Sequence, residues 1–275
     1  MEVIEKDKII GILVVDGRQT YMADILRKKG YPVKIWEQED EDMGNANVLI
    51  LPVPIHRVKN QKWLQNCIKK HREKIELCLG GVFPEALTQL LDELKIPWVD
   101  VLKDKDVARK NAIATAEGTV AELSRLMPVN MEGAHVIVMG FGNCGKPIAE
   151  KLYCMGATVS VVARSEKALS LAHYFGFRDY PMDAEIPYES VDAIVNTIPA
   201  LVITQKEIDK LSPDAVIVDI ASSPGGCDFD YCKKRGIQYK HALGLPGIYS
   251  PKTSGEILLE AMPFGYKPQS AKWMS

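Results

Sequence analysis

The run "HVIVMGFGNCGKPIAEKLYCMG", residues 135–156, constrains the fold more than any other part of the chain. Gly140, Gly142 and Gly145 follow an apolar, β-branched segment and open a helix-like one, so G-x-G-x-x-G sits in a strand–turn–helix context. In such a turn the first glycine permits the bend, the second lets the backbone approach a diphosphate, and the third lets helix pack on strand. N–H groups at the helix start then bind the anion, and Pro147 falls in the first helical turn, where its missing N–H costs little. The run predicts a dinucleotide site formed by Gly140, Phe141, Gly142, Asn143, Cys144 and Gly145. The competing reading is an ordinary glycine-rich turn. Cys144 has two readings of its own: a thiol whose pKa the helix N-terminus lowers, or a small spacer beside the diphosphate.

The next apolar segment, "TVSVVA", ends in Arg164 and Ser165. A site for NAD places Asp or Glu here to accept hydrogen bonds from the ribose 2′-OH, whereas a cation and a hydroxyl suit a 2′-phosphate. NADP is therefore expected. The alternative is a solvated Arg164 and a Ser165 that only caps the helix "EKALSLAHYFG". Later loops at strand ends add Thr197, Ile198 and Pro199 in "NTIPA", Ala221 and Ser222 in "DIASSPGG", and Leu245 and Pro246 in "GLPGIYS" as cofactor candidates. Small and proline-rich loops let a flat ring approach the backbone, although they also serve ordinary turns.

Outside this unit the chain keeps alternating short apolar runs with amphipathic segments. "IIGILVV", "YPVKIW", "NVLILPV", "IELCL" and "IPWVDV" read as strands, several apolar enough to be covered on both faces. The 275 residues exceed one ordinary domain. The expected fold class is α/β: two α/β domains, the second a Rossmann-type doubly wound parallel sheet, joined by a helix with a cleft between them. The linking helix is placed at residues 111–127, stopped by Pro128, which sets the domains at residues 1–128 and 129–275, the latter with the C-terminal helix.

Thirty-four basic against 36 acidic residues, with no long single-sign block, gives no pointer to nucleic acid or an anionic membrane. No apolar run approaches the roughly 20 residues a bilayer requires, and the charged start "MEVIEKDKII" is unlike a signal peptide, so a cytoplasmic location is expected. Six cysteines include no C-x-x-C pair and none lies near histidine at ligand spacing, so reduced thiols and no metal are expected.

The residues "NAIATAEGTV", "VIVMGFGNCGKPIAEKLYCMGATVSVVARS", "NTIPALVIT", "DIASSPGGCDF" and "GLPGIYSPKTSGEIL" resemble the A subunits of dipicolinate synthase, an enzyme of spore-forming bacteria. The likeness is close from Asn111 to about Leu259 and looser before it, where "VVDGRQ" and "LILPVP" carry it. It implies oxidation of a dihydrodipicolinate, formed from a lysine-pathway intermediate, to pyridine-2,6-dicarboxylate with NADP, during sporulation in the mother cell, together with the B subunit of dipicolinate synthase. Self-association is left open. A dehydrogenase of another small acid, shikimate- or methylenetetrahydrofolate-dehydrogenase-like, and a non-catalytic NADP-binding protein remain as alternatives.

A dicarboxylate substrate calls for cationic forks. Arg18, just after the first strand, is the first candidate clamp, with Asp16 to orient it or act as base. Asn111, Thr115 and Glu117 open the linking helix, though Thr115 and Glu117 diverge by about 200° on it. Lys252 after the last strand is a candidate carboxylate contact, and His56, at another strand end, a candidate proton acceptor. Each competes with a structural or solvated role.

Overall fold

Apolar runs of three to six residues become strands, and the most apolar lie in sheet interiors. β1 (Ile10–Leu13), β3 (Val48–Ile50), β9 (Ala193–Asn196) and β10 (Val216–Asp219) are buried at every position. That burial on both faces is what a parallel sheet covered by helices imposes. The computed structural model describes residues 3–37 and 44–267.

The elements run β1, α1 (Gly17–Lys28), β2 (Val33–Trp36), β3, α2 (Gln61–His71), β4 (Leu77–Gly80), α3 (Glu85–Glu93), β5 (Trp98–Asp100) and α4 (Lys105–Leu126). They continue with β6 (His135–Met139), α5 (Gly145–Cys154), β7 (Thr158–Ala163), α6 (Glu166–Tyr174), β8 (Arg178–Pro181), β9, α7 (Gln205–Ile208), β10, α8 (Phe229–Arg235), β11 (Gln238–His241), α9 (Leu245–Tyr249) and α10 (Pro251–Glu260). Two parallel sheets result, ordered β2-β1-β3-β4-β5 and β11-β10-β9-β6-β7-β8. The second has the Rossmann order and the first the flavodoxin-like order, so the expected α/β class stands.

The chain divides into two compact units. One runs to Asn111 and resumes at Ser250; the other is Ala112–Tyr249. This departs from the division at residue 128, and the C-terminal helix changes sides. α10 packs on α1, where Gly255 lies so close to the Arg18 carbonyl that an added Cβ would sit 2.9 Å from it. Ile257, Leu258, Leu259, Met262 and Phe264 complete a core with Ile10, Ile12, Met22 and Leu26. α4 also begins earlier than residue 111, because the Asp104 carboxylate accepts the Asp106 and Val107 N–H groups at 2.8 and 3.3 Å and starts the helix there. Among the described residues no helix is long and apolar enough to cross a membrane.

Candidate functional site

In each sheet the strand order reverses once, and a crevice opens at the carboxyl ends of the two strands beside that reversal. In the second unit these strands are β6 and β9. The Gly140 turn leaves β6 with φ +91°, a left-handed conformation that favours glycine, and a Cβ there would overlap Thr197 Oγ1. Thr197 donates both its N–H and its hydroxyl to the Met139 carbonyl, at 2.9 and 2.8 Å, binding the two loops together. The buried Asn196 amide closes on Ile198, donating to its carbonyl and accepting its N–H, each at 3.0 Å.

A Cβ on Gly145 would overlap the Gly140 carbonyl oxygen, so glycine there lets α5 pack onto the turn. Gly142 is exposed and a Cβ would meet nothing within 4 Å, leaving bare backbone facing outward. Cys144, at the N-cap of α5, makes no side-chain cap bond, so the helix's first N–H groups are not claimed by a side-chain cap. Open backbone, an uncapped ten-residue helix and close helix–turn packing fit a diphosphate. Gly145→Ala should lower stability by about 1–3 kcal/mol as α5 is forced off the turn, whereas Gly142→Ala should leave the urea midpoint unchanged and weaken dinucleotide binding. Equal effects on folding would show the two glycines do not have these separate roles.

Arg164 follows β7, is exposed, and forms no ion pair among the described residues. Ser165 caps α6, its side chain accepting the Ala168 N–H at 3.1 Å while its hydroxyl proton remains able to donate. Beyond β10 the buried Asp219 carboxylate folds the next loop over itself, accepting from the Ala221 N–H at 2.8 Å and the Gly226 N–H at 2.7 Å. Ser222 and Pro199 are exposed, Ile198 is half-buried, and Asn143 is exposed beside Gly142.

Several expected residues are placed otherwise. The Phe141 side chain is a core residue, edge-on to Phe177 at 5.9 Å. Leu245 is buried against Gly118 of α4, and Pro246 is buried beside it, so neither offers an exposed side chain. Burial pushes the Cys144 thiol up, opposite to the helix-end expectation and in keeping with a spacer. Asn111, Thr115 and Glu117 lie within α4 rather than at its entrance. Glu117 pairs with Lys151 of α5 at 3.1 Å, and the Thr115 carbonyl accepts the Thr119 hydroxyl at 2.8 Å. Lys252 is exposed in the first turn of α10, hence in the first unit rather than the second.

The first unit's reversal lies between β1 and β3. Asp16 caps α1 in a reciprocal box with Gln19. Its carboxylate takes the Arg18 fork, Nε at 3.0 Å to Oδ1 and Nη2 at 2.7 Å to Oδ2. Arg18 Nη2 also donates to the Val53 carbonyl, and the side chain is only 2% exposed. Arg18 is thus a buried post tying the loop after β3 to α1, and its fork is occupied, which corrects its reading as substrate clamp. Burial would raise the Asp16 carboxyl, but hydrogen bonds and charge from Arg18, with charge from Arg57, outweigh it and hold the pKa below its ordinary value. A carboxyl held below its ordinary value is a poorer proton acceptor at neutral pH than an unperturbed one.

Arg57, which carries no motif signature in the sequence, pairs with Asp16 from the other side and remains 28% exposed. It lines a cleft of about 680 Å³ with Asp16, Glu37 and Lys59. A positional signal was present: Arg57 follows His56 in the loop after β3, and His56 itself is exposed.

A parallel sheet in this order, with a glycine turn at its reversal, defines a dinucleotide-binding Rossmann domain. The chain belongs to the D-isomer specific 2-hydroxyacid dehydrogenase family, whose NAD binding domain matches residues 87–224, about half its length. It is therefore a dehydrogenase-type protein with a nicotinamide dinucleotide domain. It is 34% identical over 184 residues to the dipicolinate synthase A subunit of Bacillus subtilis (strain 168), an alignment spanning 66% of this chain and 62% of that relative. The crystal structure of the dipicolinate synthase A subunit from Bacillus halodurans superposes with a TM-score of 0.79 at 27% identity, covering 92% of this chain and 95% of that one. The corresponding Bacillus subtilis crystal structure gives 0.77 at 26% identity, covering 95% and 96%. The resemblance read from the motifs is thus found across both units.

Proposed function

We propose that the chain is an NADP-dependent oxidoreductase acting as the A subunit of a dipicolinate synthase, with a B subunit, in the cytoplasm of the sporulating mother cell. In this reading dihydrodipicolinate loses a hydride and a proton and becomes pyridine-2,6-dicarboxylate. The observation that carries the choice of cofactor is the end of β7, where the exposed Arg164 and the Ser165 hydroxyl stand in place of a carboxylate. NADP, when bound, supplies the hydride acceptor. The chain's part is to bind and orient: Gly142 and the N-terminus of α5 receive the diphosphate, Arg164 and Ser165 the 2′-phosphate, and the loops at Thr197–Pro199 and Ala221–Ser222 border the nicotinamide.

For the substrate, Arg57 replaces Arg18 as the carboxylate clamp. Asp16 is its positioning residue, with Lys59 adding positive charge to the same cleft. Thr115, Glu117 and Lys252 carry no proposed chemical step. The alternative of a non-catalytic NADP-binding protein draws on one observation: Asp16 and Arg18 occupy each other.

The experiment supplies the lysine-pathway precursor and follows NADPH absorbance with the chain alone and with its B subunit, then repeats it with NAD. Arg57→Ala is expected to raise KM by about 10- to 100-fold, the loss of a charge-assisted hydrogen bond, while NADP affinity and the urea midpoint stay near wild type. No reduced cofactor in any combination would overturn the enzymatic reading. An unchanged KM would remove Arg57 from the clamp.

A further inference from the structure

Two thiols that the dinucleotide reading does not use stand against each other. Cys227 directly follows Gly226 in the loop after β10, and Cys232 lies in α8; their sulfurs are 3.4 Å apart, both free. Cys227 is 6% exposed and Cys232 is fully buried. A disulfide requires about 2.05 Å, so oxidation must draw the sulfurs together by a little over an ångström.

Both sides are tied into the fold. α8 is held by the Asp228 carboxylate on the Tyr231 N–H at 3.0 Å and by Phe229 stacked between Tyr239 and His241 at 5.1 Å from each. Cys227 ends the loop, bridged to Ile203, and its carbonyl accepts the Phe229 N–H at 3.0 Å. Its neighbour Gly226 donates to Asp219 and, through its carbonyl, accepts the Val202 and Ile203 N–H groups at 2.9 and 3.0 Å. Gly226 is packed so closely that an added Cβ would overlap the Asn196 amide. A pull on Cys227 is therefore transmitted to the Asp219-anchored loop and to the Asn196 turn.

We propose that Cys227 and Cys232 form a reversible dithiol–disulfide pair, closed by a peroxide-class oxidant and opened by a dithiol, which displaces the loop at residues 220–226. That this displacement weakens dinucleotide binding rests on the proposed function above. The hydrogen bond from the Cys227 S–H holds the Cys232 thiol below its ordinary value, and the same bond, with burial, pushes Cys227 up. One thiolate of the pair displaces hydroxide from hydrogen peroxide, breaking the O–O bond and leaving a sulfenic acid. The other sulfur then attacks that sulfur, the S–S bond forms, and hydroxide leaves to take up the second thiol's proton. Two thiols and one peroxide give one disulfide and two waters.

Both cysteines fall in one tryptic peptide, cut after Lys210 and Lys233. The full chain is treated with hydrogen peroxide, denatured, alkylated and digested, with the exposed Cys154 as the control for alkylation. The expected peptide is two hydrogens lighter, unalkylated, and restored by dithiothreitol, and hydrogen exchange at residues 220–226 rises in the oxidised chain. NADP binds about fivefold or more weakly to the oxidised form, and Cys232→Ser abolishes all three changes. Full alkylation of both cysteines after peroxide, or their over-oxidation without a cross-link, overturns the pair. A cross-link without altered exchange overturns the loop displacement. Peptide mass and exchange do not depend on the cofactor, so a chain that binds no NADP even when reduced fails the functional reading alone.

Discussion

Arg18→Ala should cost about 3–5 kcal/mol of folding stability, the range found when one partner of a buried ion pair is removed. The substitution leaves the Asp16 carboxylate, 8% exposed, with Arg57 as its remaining cation, deprives the buried Val53 carbonyl of its Arg18 donor, and empties the space of a side chain only 2% exposed. Arg18→Lys should recover only part of the loss, since an ammonium cannot reproduce the two-pronged contact. Arg57→Ala, which removes a partly exposed partner, should cost about 1 kcal/mol or less. Urea unfolding separates them; an Arg18→Ala midpoint indistinguishable from wild type would show that the fork contributes no net stability. pH gives a second readout. The folded-state pKa of Asp16 is depressed, so its contribution is complete above the unfolded value of about 3.9 and fades as pH falls through the folded value. Wild type should lose more stability than Arg18→Ala between neutral pH and acid.

The same cluster shows where sequence reasoning stops. "VVDGRQ" announces a strand end, a capping Asp16 and a Gln19 at the reciprocal position, all of which the structure contains. The sequence does not say that the cation between them is buried, because that depends on tertiary contacts such as the Val53 carbonyl, 35 residues on. α10 reads as an amphipathic helix, and its apolar face specifies that something is covered without specifying what. Assigning it to the nearest domain in sequence is the natural expectation, and the packing of Leu258 and Phe264 on the first sheet reverses it.

Central strands are legible because burial on both faces demands continuous apolar runs, as in β6, β9 and β10. β8, "RDYP", escapes for the converse reason: an edge strand with both ends exposed carries no apolar signature. In the glycine turn, spacing specifies the local geometry well, since Gly140 and Gly145 each meet a distinct steric demand, while Gly142 is left open. Phe141 and Leu245 depart from expectation because a motif position does not reveal which way a side chain points.

Arg164→Asp should reverse the cofactor preference, changing the ratio of NAD to NADP dissociation constants by about 100-fold or more. A charge-assisted bond to the 2′-phosphate is worth about 1.5–3 kcal/mol, or roughly 10- to 150-fold in affinity. The aspartate adds repulsion toward the phosphate and an acceptor for the ribose hydroxyls. Because Arg164 is exposed and forms no ion pair among the described residues, the change should leave folding untouched. Ser165 offers a contrasting case. Its side chain caps α6, so Ser165→Ala should cost about 1 kcal/mol of stability along with part of the NADP affinity. Titration calorimetry of both variants against both cofactors checks the assignment. Equal wild-type affinity for NAD and NADP, with no change in Arg164→Asp, would mean that the end of β7 does not read the 2′ position.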